Sequence, residues 1–193
     1  MWTLVILLGG CTINQDPQVQ IDPALLEECQ HDAEKCTALA SQYRGAGDSK
    51  IRDDVIAGQL LTYSCEKNDP EACVLLGIMY SAGIGVQKSE SKEKKLTKKG
   101  NALYHQTCDA GHLRNCVELG GMYLYGVGLP KSKQKATDLW VKACAGQEAS
   151  GCTSLGDMFK KTDKQRSLNY YGKACDLGDE DSCSHFSDLL EGN

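Results

Sequence analysis

The chain has 193 residues, a formal net charge of -5 and 24% charged residues, enough for one domain or one short repeat array. Hydrophobic content is 41%, aromatic content only 6%, and the composition is that of a soluble globular chain. The acidic balance argues against a nucleic-acid partner, which calls for a basic face. Eleven cysteines and 20 glycines stand out. In a reducing compartment so many cysteines point to metal sites, and in an exported protein to disulfides.

The chain opens "MWTLVILLGGC". Trp2 to Leu8 is far too short to span a bilayer and matches the hydrophobic part of a secretory signal. The ending Leu8-Gly9-Gly10-Cys11 resembles a bacterial lipobox, although no basic residue separates Met1 from Trp2. That resemblance implies a signal over residues 1–10 and a lipid anchor on Cys11. It places the protein in the cell envelope, on the periplasmic or outer-membrane face. Thr12 stands where some lipoproteins carry the Asp associated with inner-membrane retention. Residues 11–24 read as a tether, polar and broken by Asp16-Pro17 and Asp22-Pro23.

From residue 25 to residue 193 the chain repeats. Ten cysteines form five close pairs: Cys29/Cys36, Cys65/Cys73, Cys108/Cys116, Cys144/Cys152 and Cys175/Cys183. First cysteines recur after 36, 43, 36 and 31 residues, periods suited to helical hairpins. Three residues after each second cysteine stand Leu39, Leu76, Leu119, Leu155 and Phe186. One further on stand Ala40, Gly77, Gly120, Gly156 and Ser187, and seven after the cysteine Tyr43, Tyr80, Tyr123, Phe159 and Leu190. These offsets share one face of a helix, here called A, which begins at the second cysteine.

Upstream of the first cysteines lies a second helix, B. Leu61, Tyr104, Trp140 and Tyr171 stand four residues before the cysteine. Ala57, Gly100, Ala136 and Ser167 stand eight before it. Asn68, Gly111, Gly146 and Gly178 suit left-handed caps where the B helices end. The glycine-rich stretches "SAGIGVQ" and "LYGVGLP" join A to B, and "KKTDK" does so in the fourth unit. The second unit carries seven extra residues in its B helix. Lys88 to Lys99 holds six lysines in twelve residues. That suits a solvated helix face, with a polybasic contact to anionic lipid or another partner as the alternative.

The stretches "CEKNDPEACVLLGIMY" and "CDAGHLRNCVELGGMY", the G-x-G turns and Lys142-Ala143-Cys144 resemble the Sel-1-like repeat family. The cysteine-rich Hcp-type subfamily matches best. The first unit departs, with a shorter cysteine loop and Gln42 in place of Met. The resemblance implies an all-α fold: a right-handed superhelical solenoid of α/α hairpins, each cysteine pair a disulfide joining a B helix to the next A helix. Closing so short a loop contributes about 2.5 kcal/mol by chain entropy.

His105, Cys108, His112 and Cys116 make a zinc-like set, but the cysteine spacing recurs where no histidine is near. The x7 spacing is not the C-x-x-C of thiol catalysts. Neither a metal nor another cofactor is expected. The subfamily resemblance raises weak penicillin binding or β-lactam hydrolysis as the alternative function. Ser64/Lys67, Ser89/Lys92 and Ser132/Lys135 fit S-x-x-K, without an S-D-N or K-T-G partner; Lys161-Thr162-Asp163 is the nearest approach to the latter. The leading expectation is a monomeric binding scaffold. By resemblance its A helices line a concave surface for a basic or polar protein or peptide. Glu118, Asp157, His185 and Asp188 would face that surface, with Ser41 and Ile78 beside them.

Overall fold

The computed structural model describes residues 23–45 and 53–191. The signal segment, Cys11 and all but the end of the tether lie outside these residues. The described chain is an α/α-hairpin solenoid: α1 (Pro23–Glu28), α2 (Ala33–Tyr43), α3 (Asp54–Glu66), α4 (Pro70–Ala82), α5 (Glu90–Asp109), α6 (Leu113–Tyr125), α7 (Lys133–Ala145), α8 (Ala149–Phe159), α9 (Lys164–Asp176) and α10 (Glu180–Glu191). Even-numbered helices are the A helices, and α3, α5, α7 and α9 the B helices. Each packs chiefly on its neighbours in sequence, as a solenoid requires.

All five cysteine pairs are disulfides, with Cα atoms 4.6 to 4.9 Å apart. Each A helix starts three residues before its second cysteine, because the cap sits earlier than the apolar stripe suggests. The Asp69 carboxylate accepts from the Glu71 and Ala72 N–H groups at 2.9 and 3.4 Å. Asp32 and Asp179 do the same for α2 and α10. The left-handed residue lies five before the second cysteine in every joint: His31, Asn68, Gly111, Gln147 and Gly178. In the fourth joint this corrects the expected Gly146, whose φ is -83°. Gln147 takes the turn at φ 69°, and Gly146 is needed for space, since a Cβ there would strike the Leu113 side chain.

Leu76, Leu119 and Leu155 are buried, as the stripe predicts, and so are Leu61, Trp140 and Tyr171. A Cβ on Gly120 would run into the Trp140 indole, and one on Gly156 into the Tyr171 ring. The bulky B residue sits directly on the bare A backbone. Trp140 Nε1–H donates to the Val117 carbonyl at 3.0 Å, so its polar edge is satisfied inside the hairpin. Leu190, expected on the packed face, is 61% exposed, and Leu189 is buried instead. Among the described residues no B helix follows α10 to cover the former position.

The second unit holds the largest departure. Gly77 meets Thr97, not Tyr104. From Ser89 onward α5 follows the pattern of α7: Ser89 and Ser132 cap the two helices, and their N–H groups donate to Tyr80 and Tyr123 carbonyls at 2.9 and 2.8 Å. A hairpin of ordinary length would therefore turn at Asn101. Instead α5 runs on for two more turns, about 10 Å at 1.5 Å per residue. Tyr104 joins the core of the third unit with Val74, Leu119 and Trp140. The turn between α6 and α7 packs against the middle of α5, where Asn101 Nδ2 donates to the Val127 carbonyl at 3.2 Å. Units three and four are thus stepped along the helix axis relative to units one and two.

Gly120 and Gly121 offer a paired test. Ala at 120 would overpack the Trp140 contact, and should cost about 1–3 kcal/mol in urea unfolding of the oxidised protein. Ala at 121, where nothing lies within 4 Å, should instead stabilise by roughly 0.5–1 kcal/mol. Equal effects at both positions would contradict the packing described.

Candidate functional site

The cysteines are structural. Cys108 and Cys116 are bonded to each other, and His105 Nε2 lies 3.0 Å from the Tyr123 hydroxyl. The zinc-like quartet is thereby dispersed. Among the described residues no three His, Cys, Asp or Glu side chains gather as a metal site. The S-x-x-K serines also have structural places. Ser89 and Ser132 cap helices, accepting from the Lys92 and Lys135 N–H groups at 3.3 Å. Ser64 is buried inside α3 while Lys67 is exposed. Asp163 caps α9.

Two structural networks escaped the sequence reading. A cation at the third position of three B helices lies over an aromatic in the last turn of the preceding A helix. Lys92 and Lys135 stand 4.8 Å from the Tyr80 and Tyr123 ring centres, and Arg166 5.3 Å from that of Phe159. The ring face offsets the poor placement of a cation near a helix N-terminus. A lysine also seals two joints. Lys99 and Lys142 Nζ donate to the carbonyls of Cys65 and Cys108 at 2.6 and 2.9 Å, satisfying helix-end carbonyls.

The expected binding residues fall into two groups. Glu118 is exposed on α6 and lines an open pocket of about 310 Å³. Arg114, Glu148, Ser150, Leu177 and Asp179 complete most of its wall. Three carboxylates thus surround one guanidinium and a half-exposed leucine. The field extends to Glu71 at the start of α4. Glu71 stays exposed to solvent, and partial desolvation, then the nearby Asp69 and Glu118 carboxylates, push its pKa up, against the lowering effect of Arg114. Tyr104 shares this surrounding, and burial with the same acids holds its hydroxyl protonated far above the usual phenol range.

The second group is built around Tyr171. Its hydroxyl donates to Asp157 Oδ1 at 2.5 Å, and His185 meets its ring edge-on at 5.1 Å between centroids. Asp157 and His185, on α8 and α10, are therefore joined through α9. Asp188 is exposed one turn along from His185. Burial and the Asp157 bond both raise the Tyr171 pKa. Ile78 is 43% exposed on α4, and Ser41 is half-buried on α2. What this face offers is carboxylates beside small apolar patches, which suits cationic side chains.

The fold resembles solved structures. The protective antigen of uropathogenic Escherichia coli strains, which displays an SLR fold, superposes with a TM-score of 0.53 at 19% identity, covering 89% of this chain. This chain spans only 40% of that structure. A Sel1 repeat protein from Oxalobacter formigenes gives a TM-score of 0.44 at 17% identity, covering 84% of this chain and 78% of its own. An immunity protein from Pseudomonas aeruginosa gives 0.47 at 17% identity, covering 84% and 69% respectively. No curated protein matches the sequence. The Sel1 repeat family model matches residues 70–112, 116–147 and 152–179, more than half of the chain. With its stacked hairpins, bare A-helix glycines and G-x-G turns, the chain belongs to the Sel1 repeat family.

Proposed function

We propose that this protein is an exported, lipid-anchored scaffold whose A-helix face holds a protein or peptide partner bearing basic side chains. Sel1 repeat proteins are in general protein-interaction scaffolds. The observation that carries the finer reading is the pocket between α6, α8 and α10, where Glu118, Glu148 and Asp179 outnumber Arg114 around Leu177. A lysine or arginine side chain fits such a site with its stem on Leu177 and its head among the carboxylates. The Leu-x-Gly-Cys ending and the five disulfides support export, and Cys11 is the residue left for lipid.

Basic peptides selected by display on the oxidised protein supply the binding test. Glu118→Lys should weaken their binding at least about tenfold by fluorescence anisotropy. Unchanged affinity in a Glu118→Lys/Asp157→Lys double variant would remove the A-helix face from consideration. Lipid attachment has its own readout. Expressed with its signal in a bacterial host, the mature protein should show an acylated N-terminal peptide beginning at Cys11, and an unmodified Cys11 would refute the anchor.

Glu71 gives a pH signature. Its folded-state pKa is raised above the ordinary carboxylate value of 4.5. The native state therefore holds that proton more tightly than the unfolded chain, and stability falls as pH rises through the raised value. Glu71→Gln should raise the melting temperature at neutral pH, and the gain should shrink as acid protonates the carboxylate. A gain independent of pH would show that the effect is not electrostatic.

A further inference from the structure

The solenoid separates its charges onto two edges. The five joints between B and A helices, residues 26–35, 62–72, 105–115, 141–151 and 172–182, carry thirteen Asp or Glu against five Lys or Arg. The last three A-to-B turns with the starts of their B helices, residues 80–95, 123–138 and 159–170, carry eleven Lys or Arg against four Asp or Glu. Because successive helices are antiparallel, the joints lie along one edge and these three turns along the other. One edge is net -8 and the other net +7 within a chain of only -5.

The basic edge is free. Lys88, Lys94, Lys95, Lys131, Lys161 and Lys164 are exposed, and none has an ion-pair partner among the described residues. Lys92, Lys135 and Arg166, by contrast, are engaged with ring faces. Apolar tips stand among the free cations. Ile84, in the turn after α4, is 39% exposed, and Tyr125, the last residue of α6, is 71% exposed, each ahead of a lysine cluster. The two-turn overrun of α5 also sets the turn between α6 and α7 back against Thr97, so the first turns of α5, with Lys92, Lys94 and Lys95, extend beyond that turn.

We propose that this edge, led by the start of α5, docks on the surface of an anionic phospholipid bilayer. Lysines each contribute to such attraction, and tyrosine and isoleucine tips suit the headgroup boundary. A flat anionic surface meets one edge only and leaves the acidic edge in solution. A flexible polyanion, by contrast, would have to pass the acidic edge as well. Docking this way is independent of what the A-helix face binds. It would fix which edge of the anchored solenoid faces the membrane.

The test uses the full oxidised chain with Cys11→Ser, so that no acyl chain contributes. Binding to phosphatidylcholine vesicles is compared with binding to vesicles in which about one-third of the lipid is phosphatidylglycerol. The anionic vesicles should bind at least about tenfold more tightly, and high salt should abolish the difference. Lys94→Glu/Lys95→Glu should remove most of it. These changes sit on the exposed second turn of α5, away from its packed face. Lys67→Glu/Lys173→Glu removes the same charge from the joint edge and should leave binding unchanged. Equal binding to both vesicles, or equal loss in both variants, would overturn the proposal. So would capture of a soluble polyanion such as heparin with no vesicle binding.

Discussion

Everything in this fold depends on how the chain reverses between a B helix and the next A helix. Five residues before the second cysteine the backbone turns left-handed, and one residue later the A-helix cap begins. The disulfide closes a separation of seven or eight residues over that turn. In a solenoid each unit rests only on its neighbours, so an error in joint angle would propagate along the array. In two joints the lysine bond to the cysteine carbonyl ties the reversal to the following B helix. Threonine adds to the first of these and reinforces the last joint. Thr37 bonds to the Asp69 carboxylate in the next joint, and Thr153 to that of Asp179 at 3.3 Å. Where the cap is His112 or Glu148 no side-chain cap bond forms, and the preceding A helix carries Val74 or Val117 at that place. The two outer pairs are thus polar and the two inner ones place a valine beside the cap, so each threonine meets a capping carboxylate.

The long α5 shows what happens when hairpin and joint disagree. Its first thirteen residues pair with α4 in the ordinary way, and its last turns pair with α6. The array absorbs seven residues as a step, because whole helical turns preserve which face meets which neighbour. Asn101 sits where a first cysteine would otherwise stand. It is 3% exposed, and its Oδ1 is buried without a partner in the described structure. The step therefore carries a polar cost at its centre.

Much of this was legible in the sequence, because cysteine spacing and the large-small alternation both report contacts made in every unit. The buried leucines, the bare glycines and the left-handed turn glycines such as Gly85, whose Cβ would strike the Asp54 carbonyl, all stand where periodicity put them. Contacts that depend on partner geometry were hidden. Tyr104 sits at the same distance from its cysteine as Trp140, yet packs in another unit, since the count from the cysteine ignores where the hairpin starts. Gly146 drew the turn assignment that belongs to Gln147, because glycine answers to close approach as well as to positive φ. The cation over each closing aromatic links residues from two elements whose register only the fold reveals. On the candidate face, Glu118 was found by its exposed helical position, but its neighbours Glu148 and Asp179 come from other units.

Function accordingly moves away from the cysteines. With the thiols spent in joints, what remains is shape and charge: carboxylates along the A-helix face and joint edge, lysines along the turns. That division rests on the joints being covalent and local. Non-reducing peptide mapping of the protein purified from an oxidising compartment tests it most directly. The account predicts five linked peptides pairing Cys29 with Cys36, Cys65 with Cys73, Cys108 with Cys116, Cys144 with Cys152 and Cys175 with Cys183. Free thiols at these positions, or pairs that cross from one joint to another, would contradict it.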